Sequence, residues 1–231
     1  MEAIDALINA INQFLEEERL FFFNERDLQM KLAVYLMQKK YKVEVEYRIT
    51  KADLQNGGIY YPWEEDVISI DLVLEFERYY IPIEIKYKTR AINKDIKTFT
   101  RFGENVSAED IVKNQSAQDL GRYGFWKDVK RLELIKARYK QVVGGIALFV
   151  TNDESYKINP KPSKKDVGYY NFRMIENETI SGKLQWQKDG KVIDVTGPCR
   201  NFELENEYTI NSWKQYTANI GETMHYTLLK I

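Results

Sequence analysis

Apolar and polar positions follow two different periods along this chain, and the changes of period mark its elements. Ala3, Ile4, Leu7, Ile8, Ile11, Phe14 and Leu15 recur three or four residues apart, which predicts an amphipathic helix at the start. A second helix is predicted from Asn24, a good N-cap with acidic Glu25 and Asp27 in its first turn, to about Lys40. Lys42 to Ile49 then alternates residue by residue, the period of a strand with one wet face. Thr50 to Asp66 reads as a loop or short excursion, broken by Gly57-Gly58 and Pro62. Two strand-like runs follow: Val67–Phe76 is apolar and β-branched, and Tyr79–Lys88 alternates strictly.

Polar residues from Ala91 to Asn114 predict an irregular or partly helical connection. From Gln115 to about Lys140 a long helical pattern carries Leu120, Tyr123, Trp126, Val129, Leu132 and Ile135. Val142–Val150 is apolar on both faces, as in a buried strand. After Asn159-Pro160-Lys161-Pro162 the pattern shifts to short strand-like runs, with an Asp189-Gly190 hairpin turn among them. This order predicts an α/β (α+β) fold. Residues 1–155 form a core with a central mixed sheet flanked by helices, and residues 156–231 form a β-rich extension packed on it as one globular unit.

At 231 residues and 44% hydrophobic content the chain can bury one sizeable core. A net charge of −1 provides no global basic field, so a nucleic-acid partner would need a local basic stripe. The single Cys199 excludes an intramolecular disulfide and a cysteine zinc cluster, and the single His225 makes a His-based site hard to build. His225 is expected to be structural or exposed. No charged-then-apolar leader opens the sequence and no apolar run approaches a membrane span, so the expected setting is cytoplasmic, without a membrane partner.

The chemistry concentrates on the two central runs. Side chains two apart on a strand share a face, so Glu84 and Lys86 point one way while Ile83, Ile85 and Tyr87 point the other. With Glu77-Arg78 as the turn, Phe76 pairs with Tyr79 and Asp71 stands opposite Glu84. Two carboxylates and a lysine on one sheet face can hold a divalent cation beside a phosphate. In a chain with 30% charged residues such a triplet also arises by chance on a solvated strand face. Asp71, however, lies among Ile70, Leu72, Val73 and Leu74, where a lone carboxylate is costly to desolvate and a metal or lysine relieves the cost. Glu25 falls on the helical stripe marked by Leu28, Leu32 and Leu36, with Gln29 close to the same line; the alternative is a first-turn glutamate facing the helix dipole. Gln118 and Arg122 are four apart on one helical face, suited to a phosphate or carboxylate, or else an ordinary surface pair.

The order helix–strand–strand–strand–helix–strand over roughly residues 20–152, with Asp71 and Glu84-Ile85-Lys86, resembles the core and signature of the PD-(D/E)XK, or restriction-endonuclease-like, superfamily. Glu25 is similar to the acidic residue on that family's first core helix, and Gln118 to the Gln many members carry on the following helix. Ile70 stands where the eponymous proline would be, and the C-terminal third has no counterpart in the shared core. The resemblance implies that Asp71, Glu84 and the Ile85 backbone carbonyl ligate Mg²⁺ or Mn²⁺, with Glu25 acting through water or on a second ion. It implies that Lys86 orients the attacking water or offsets charge on the phosphorane, that Gln118 steadies Lys86 or the water, and that Arg122 contacts substrate.

Lys88, Arg90 and Lys94, followed by Lys97 and Arg101, are the expected phosphate contacts. Lys157, Lys161, Lys164 and Lys165 form a second basic run, read as a solvated face, and Trp186, Trp213 and Tyr216 are read as core rather than base-stacking. The expected function is a metal-dependent nuclease hydrolysing phosphodiester bonds, of DNA in the first place, with a homodimer left open. The alternatives are a non-catalytic nucleic-acid- or protein-binding module that keeps the nuclease fold, and a structural subunit of a defence or phage assembly in which the acids merely form ion pairs.

Overall fold

The structure is a computed structural model that describes residues 2–92, 98–107, 112, 117–158 and 168–231. It opens with two helices, α1 (Glu2–Glu18) and α2 (Glu25–Gln38). The Asn24 side chain accepts the Asp27 N–H and caps α2, as the acidic first turn leads one to expect. β1 (Lys42–Thr50) runs into a short helix α3 (Lys51–Asn56), started by a reciprocal Thr50–Asp53 capping box. β2 (Val67–Phe76) and β3 (Tyr79–Lys88) form a hairpin in which Phe76 pairs with Tyr79 across Glu77-Arg78.

The stretch after β3 departs from its sequence pattern. In place of a partly helical connection, the described part forms a two-stranded hairpin of β4 (Thr98–Arg101) and β5 (Glu104–Ser107). Its tip, Phe102-Gly103, has positive φ at both positions, the turn geometry that suits a hairpin's twist. The long helix α4 (Gln118–Arg138) and the strand β6 (Ile146–Thr151) follow. Beyond them lie β7 (Thr179–Leu184), β8 (Gln187–Lys188), β9 (Lys191–Val192), β10 (Phe202–Thr209), β11 (Lys214–Thr217) and β12 (Thr223–Lys230).

A six-stranded mixed sheet, ordered β1-β2-β3-β6-β12-β11, organises the molecule; β3 and β6 are parallel and the other neighbours antiparallel. The C-terminal segment is therefore more than an extension packed on a finished core, because β12 pairs with β6 along its length and β11 closes that edge. One core lies between the sheet and α1 and α2, built from Leu7, Phe14, Leu28, Leu32, Ile83, Ile85 and Leu148. A second lies under α4 on the opposite face, where Trp126, Val129 and Leu132 meet Ile70, Val73 and Phe149. β7 and β10 extend this second core with Ile180, Leu184, Phe202 and Leu204. Trp186 and Tyr216 are buried and the Trp213 indole donates to the Met174 carbonyl, so these aromatics are packing elements.

Candidate active site

The regular alternation of β2 fails at Asp71. Ile68, Ile70 and Val73 pack on the α4 side, whereas Leu72 and Leu74 pack on the α1–α2 side. An odd-to-even switch of faces within one strand needs a local kink. The partner strand provides it: Glu46, between the Val45–Leu72 and Tyr47–Ile70 pairs, has φ 55, in the left-handed region. Gln29, buried on α2, pins the kink by donating to the Asp71 carbonyl at 2.8 Å and to Glu46 Oε1 at 3.0 Å. Ser69 Oγ donates to Glu46 Oε2 at 2.6 Å from the strand itself.

At the same point β2 leaves β3. Their pairing ends at Leu72–Ile83, while β3 stays paired with β6 as far as Lys88–Thr151. The edge of β3 bared by this divergence is occupied by two carboxylates. Asp71 Oδ2 accepts the Ile85 N–H at 2.6 Å, and Glu25 Oε2 accepts the Tyr87 N–H at 2.9 Å. Within a strand the N–H and C=O of one residue point to the same side, so the Ile85 carbonyl faces the same gap. Because β2 is absent here, Glu25 reaches through from the α2 side to within 3.9 Å of the Lys86 ammonium on the α4 side.

Glu84 and Lys86 share the α4 face, as their spacing requires, and α4 meets them with two charged side chains. Asp128 Oδ2 lies 3.0 Å from Lys86 Nζ. Arg131 Nη2 lies 3.2 Å from Glu84 Oε1, and Arg131 Nη1 lies 3.3 Å from Asp128 Oδ1. The Glu84–Arg131 approach is one of charge rather than of direction. Glu84 Oε1 and Arg131 Nε are buried without a hydrogen-bond partner among the described residues, and Arg131 also donates to the Ser69 carbonyl. The Lys86 stem passes along the helix at Gly124, one turn before Asp128, where an added Cβ would make ordinary contact with Lys86 Cε at 3.5 Å.

Four carboxylates thus face two cations. Burial pushes the Asp71 carboxyl up to about 6, with Asp128 and Glu25 adding to the rise and the Ile85 N–H opposing it. Burial also raises Glu84 well above the usual carboxylate range, against the pull of Arg131. For Lys86, burial acts to lower the ammonium, but Asp128 and Glu25 outweigh it and hold it above its ordinary value. Lys88, the next residue on this face, has Glu25 close but no such surplus of acids, and burial lowers it.

Gln118 and Arg122 are placed differently from expectation. Gln118 Nε2 donates to Asp153 Oδ2 at 2.6 Å at the start of α4, so its amide serves the loop after β6. Arg122, expected to reach substrate, is only 2% exposed and stacks on the Tyr156 and Tyr169 rings, 4.7 and 5.0 Å from their centroids. That burial removes it from a solvent-borne ligand. Arg90 is exposed at the end of β3, where its N–H donates to Asn152 Oδ1 at 2.7 Å. Lys94, Lys97, Lys161, Lys164 and Lys165 lie outside the described residues. His225 is buried beside Glu154 and Lys157, away from the cluster, and burial lowers its pKa.

Asp128 and Arg131 carry no motif in the sequence. Their spacing of three, on the helical line through Gly124, is the only signal it holds. Among the described residues no group of three His, Cys, Asp or Glu is spaced to hold a metal ion. The donors nevertheless suit a hard divalent cation in kind: they are carboxylates and a strand carbonyl, one buried carboxylate oxygen lacks a hydrogen bond, and the acids outnumber the cations by two when ionised. Two cavities lie elsewhere, one of about 410 Å³ lined by Tyr47, Tyr80 and Tyr139 and one of about 510 Å³ lined by Asn12, Lys214 and Tyr226. Neither is lined by Asp71, Glu84 or Lys86. No helix among the described residues is long and apolar enough to cross a membrane. The chain matches no family model, no curated protein and no solved structure.

Proposed function

We propose that this chain is a metal-dependent nuclease that hydrolyses phosphodiester bonds, of DNA in the first place. The observation that carries the reading is the gathering of Asp71, Glu84, Glu25 and Lys86 where β2 and β3 diverge. The finer fold reading, a restriction-endonuclease-like core, belongs to the same proposal. It is supported by the order α2-β1-β2-β3-α4-β6, with α3 inserted after β1 and the β4–β5 hairpin after β3, and by the parallel β3–β6 pair beside two antiparallel strands.

In this reading Asp71, Glu84 and the Ile85 carbonyl hold Mg²⁺ or Mn²⁺, with Glu25 in support. When bound, such an ion polarises a phosphate oxygen and lowers the pKa of a coordinated water. Lys86, its ammonium kept charged by Asp128 and Glu25, places a fixed positive charge beside the reacting phosphate and offsets charge developing on its oxygens. Lys88 and Arg90, further along the same strand end, extend the positive charge toward a nucleic-acid backbone.

One observation favours a second reading, a binding module without catalysis. Lys86 and Glu84 already have ion-pair partners in Asp128 and Arg131, so the cluster could hold together without a cation. Titration of Mg²⁺ against the melting temperature separates the two. A saturable rise that is lost in Asp71→Ala supports the nuclease reading, and an unchanged melting temperature supports the ion-pair module.

A further inference from the structure

Arg131 contributes in a way that the metal-ion reading does not by itself require. It comes from the middle of α4, crosses to β3 and reaches within 3.2 Å of Glu84, the most buried carboxylate of the cluster. A guanidinium can grip a carboxylate with two parallel hydrogen bonds. Arg131 does not use that fork on Glu84. Its two terminal nitrogens are divided among Glu84, Asp128 and the Ser69 carbonyl, and its Nε finds no acceptor among the described residues. Glu84 Oε1 in turn is left without a hydrogen bond. The pair is therefore matched in charge and mismatched in direction, which distinguishes a resident counter-ion from a structural clamp. The same helix supplies a second anchorage for the guanidinium in Asp128, three residues earlier.

We propose that Arg131 is a built-in competitor for the divalent cation at Glu84: it neutralises Glu84 in the free protein and yields that carboxylate, shifting toward Asp128, when the cation binds. This rests on the metal-dependent reading of the same site. It makes Arg131 a positioning and regulating residue rather than a catalytic one, since its partners are carboxylates and a backbone carbonyl. It also fixes a direction that a purely structural arginine does not. At a pH high enough to ionise Glu84, removing a unit positive charge a few ångströms from the cation should tighten cation binding, by about tenfold with the screening of bulk water.

The test is Mg²⁺ and Mn²⁺ binding to the full chain, followed by calorimetry and by the cation-induced rise in melting temperature measured within each variant. Arg131→Gln and Arg131→Met remove the charge in two shapes, and Arg131→Lys keeps it. Expected are about tenfold tighter binding and a larger cation-induced rise in both neutral variants, with Arg131→Lys close to wild type. Weaker or unchanged binding in a folded neutral variant overturns the proposal while leaving the metal site standing. Should both neutral variants fail to fold, Arg131→Lys decides: if it binds the cation much more weakly than wild type, the guanidinium serves as a structural clamp and the proposal fails. Absence of binding by wild type and all variants alike overturns the metal-dependent reading itself.

Discussion

Asp71 Oδ2 accepts the Ile85 N–H at 2.6 Å, taking the place that a β2 carbonyl would occupy had the two strands stayed paired. The contact ties the divergence of the sheet to the chemistry of the site. It closes an edge that would otherwise present an unpaired donor, and it draws a carboxylate into a setting where its charge is costly.

The first prediction follows from that cost. The Asp71 carboxyl titrates near 6 in the folded chain and near 3.8 when unfolded, so the native state binds its proton more tightly. Its contribution to stability is full below the unfolded value and is lost as pH rises through about 6. Asp71→Asn should therefore be more stable than wild type at pH 8 by about 1–3 kcal/mol, with the gain vanishing near pH 4. Urea unfolding in the presence of a chelator at the two pH values checks this, and the same variant should lose any cation-induced stabilisation.

Lys86 is held between Asp128 and Glu25, and Asp128 is almost wholly buried. Lys86→Met should cost about 3 kcal/mol by leaving that carboxylate with Arg131 as its remaining cation and removing the ammonium beside Glu25. Adding Asp128→Asn should restore a large part of the stability but none of the cleavage. A double-mutant cycle by chemical denaturation, run beside a plasmid assay, separates the structural use of the lysine from the chemical one.

Glu133 provides a control remote from the cluster. Its buried carboxylate accepts the Glu205 and Asn206 N–H groups and the Tyr208 hydroxyl where the β7–β10 register shifts. Glu133→Ala should destabilise the chain by about 3 kcal/mol, measured by denaturant unfolding, and leave the specific activity of the folded fraction unchanged.

Much of this arrangement is legible locally. The Phe76–Tyr79 pairing follows from strict alternation across a two-residue turn, and the Asn24 cap follows from the acidic turn behind it. What the sequence conceals is non-local. Asp128, Lys130 and Glu133 are charged helix residues of the kind usually solvated, yet all three are buried, because Lys86, the Glu205 side chain and the β10 backbone supply their partners from distant parts of the chain. Arg122 is hidden for the same reason: nothing near it in sequence announces that Tyr156 and Tyr169 will close over it. The composition of the run from Met224 to Ile231 says only that it must pack somewhere, and its place as a strand beside β6 depends on a pairing between residues far apart in the chain.

Supercoiled plasmid and single-stranded DNA, incubated with Mg²⁺ or Mn²⁺ and wild-type or Lys86→Ala protein, test the central claim most directly. Wild type should nick or cut only with the cation present, and Lys86→Ala should be slower by at least about a hundredfold. Equal cleavage by the two proteins, or none by correctly folded wild type, would contradict the account.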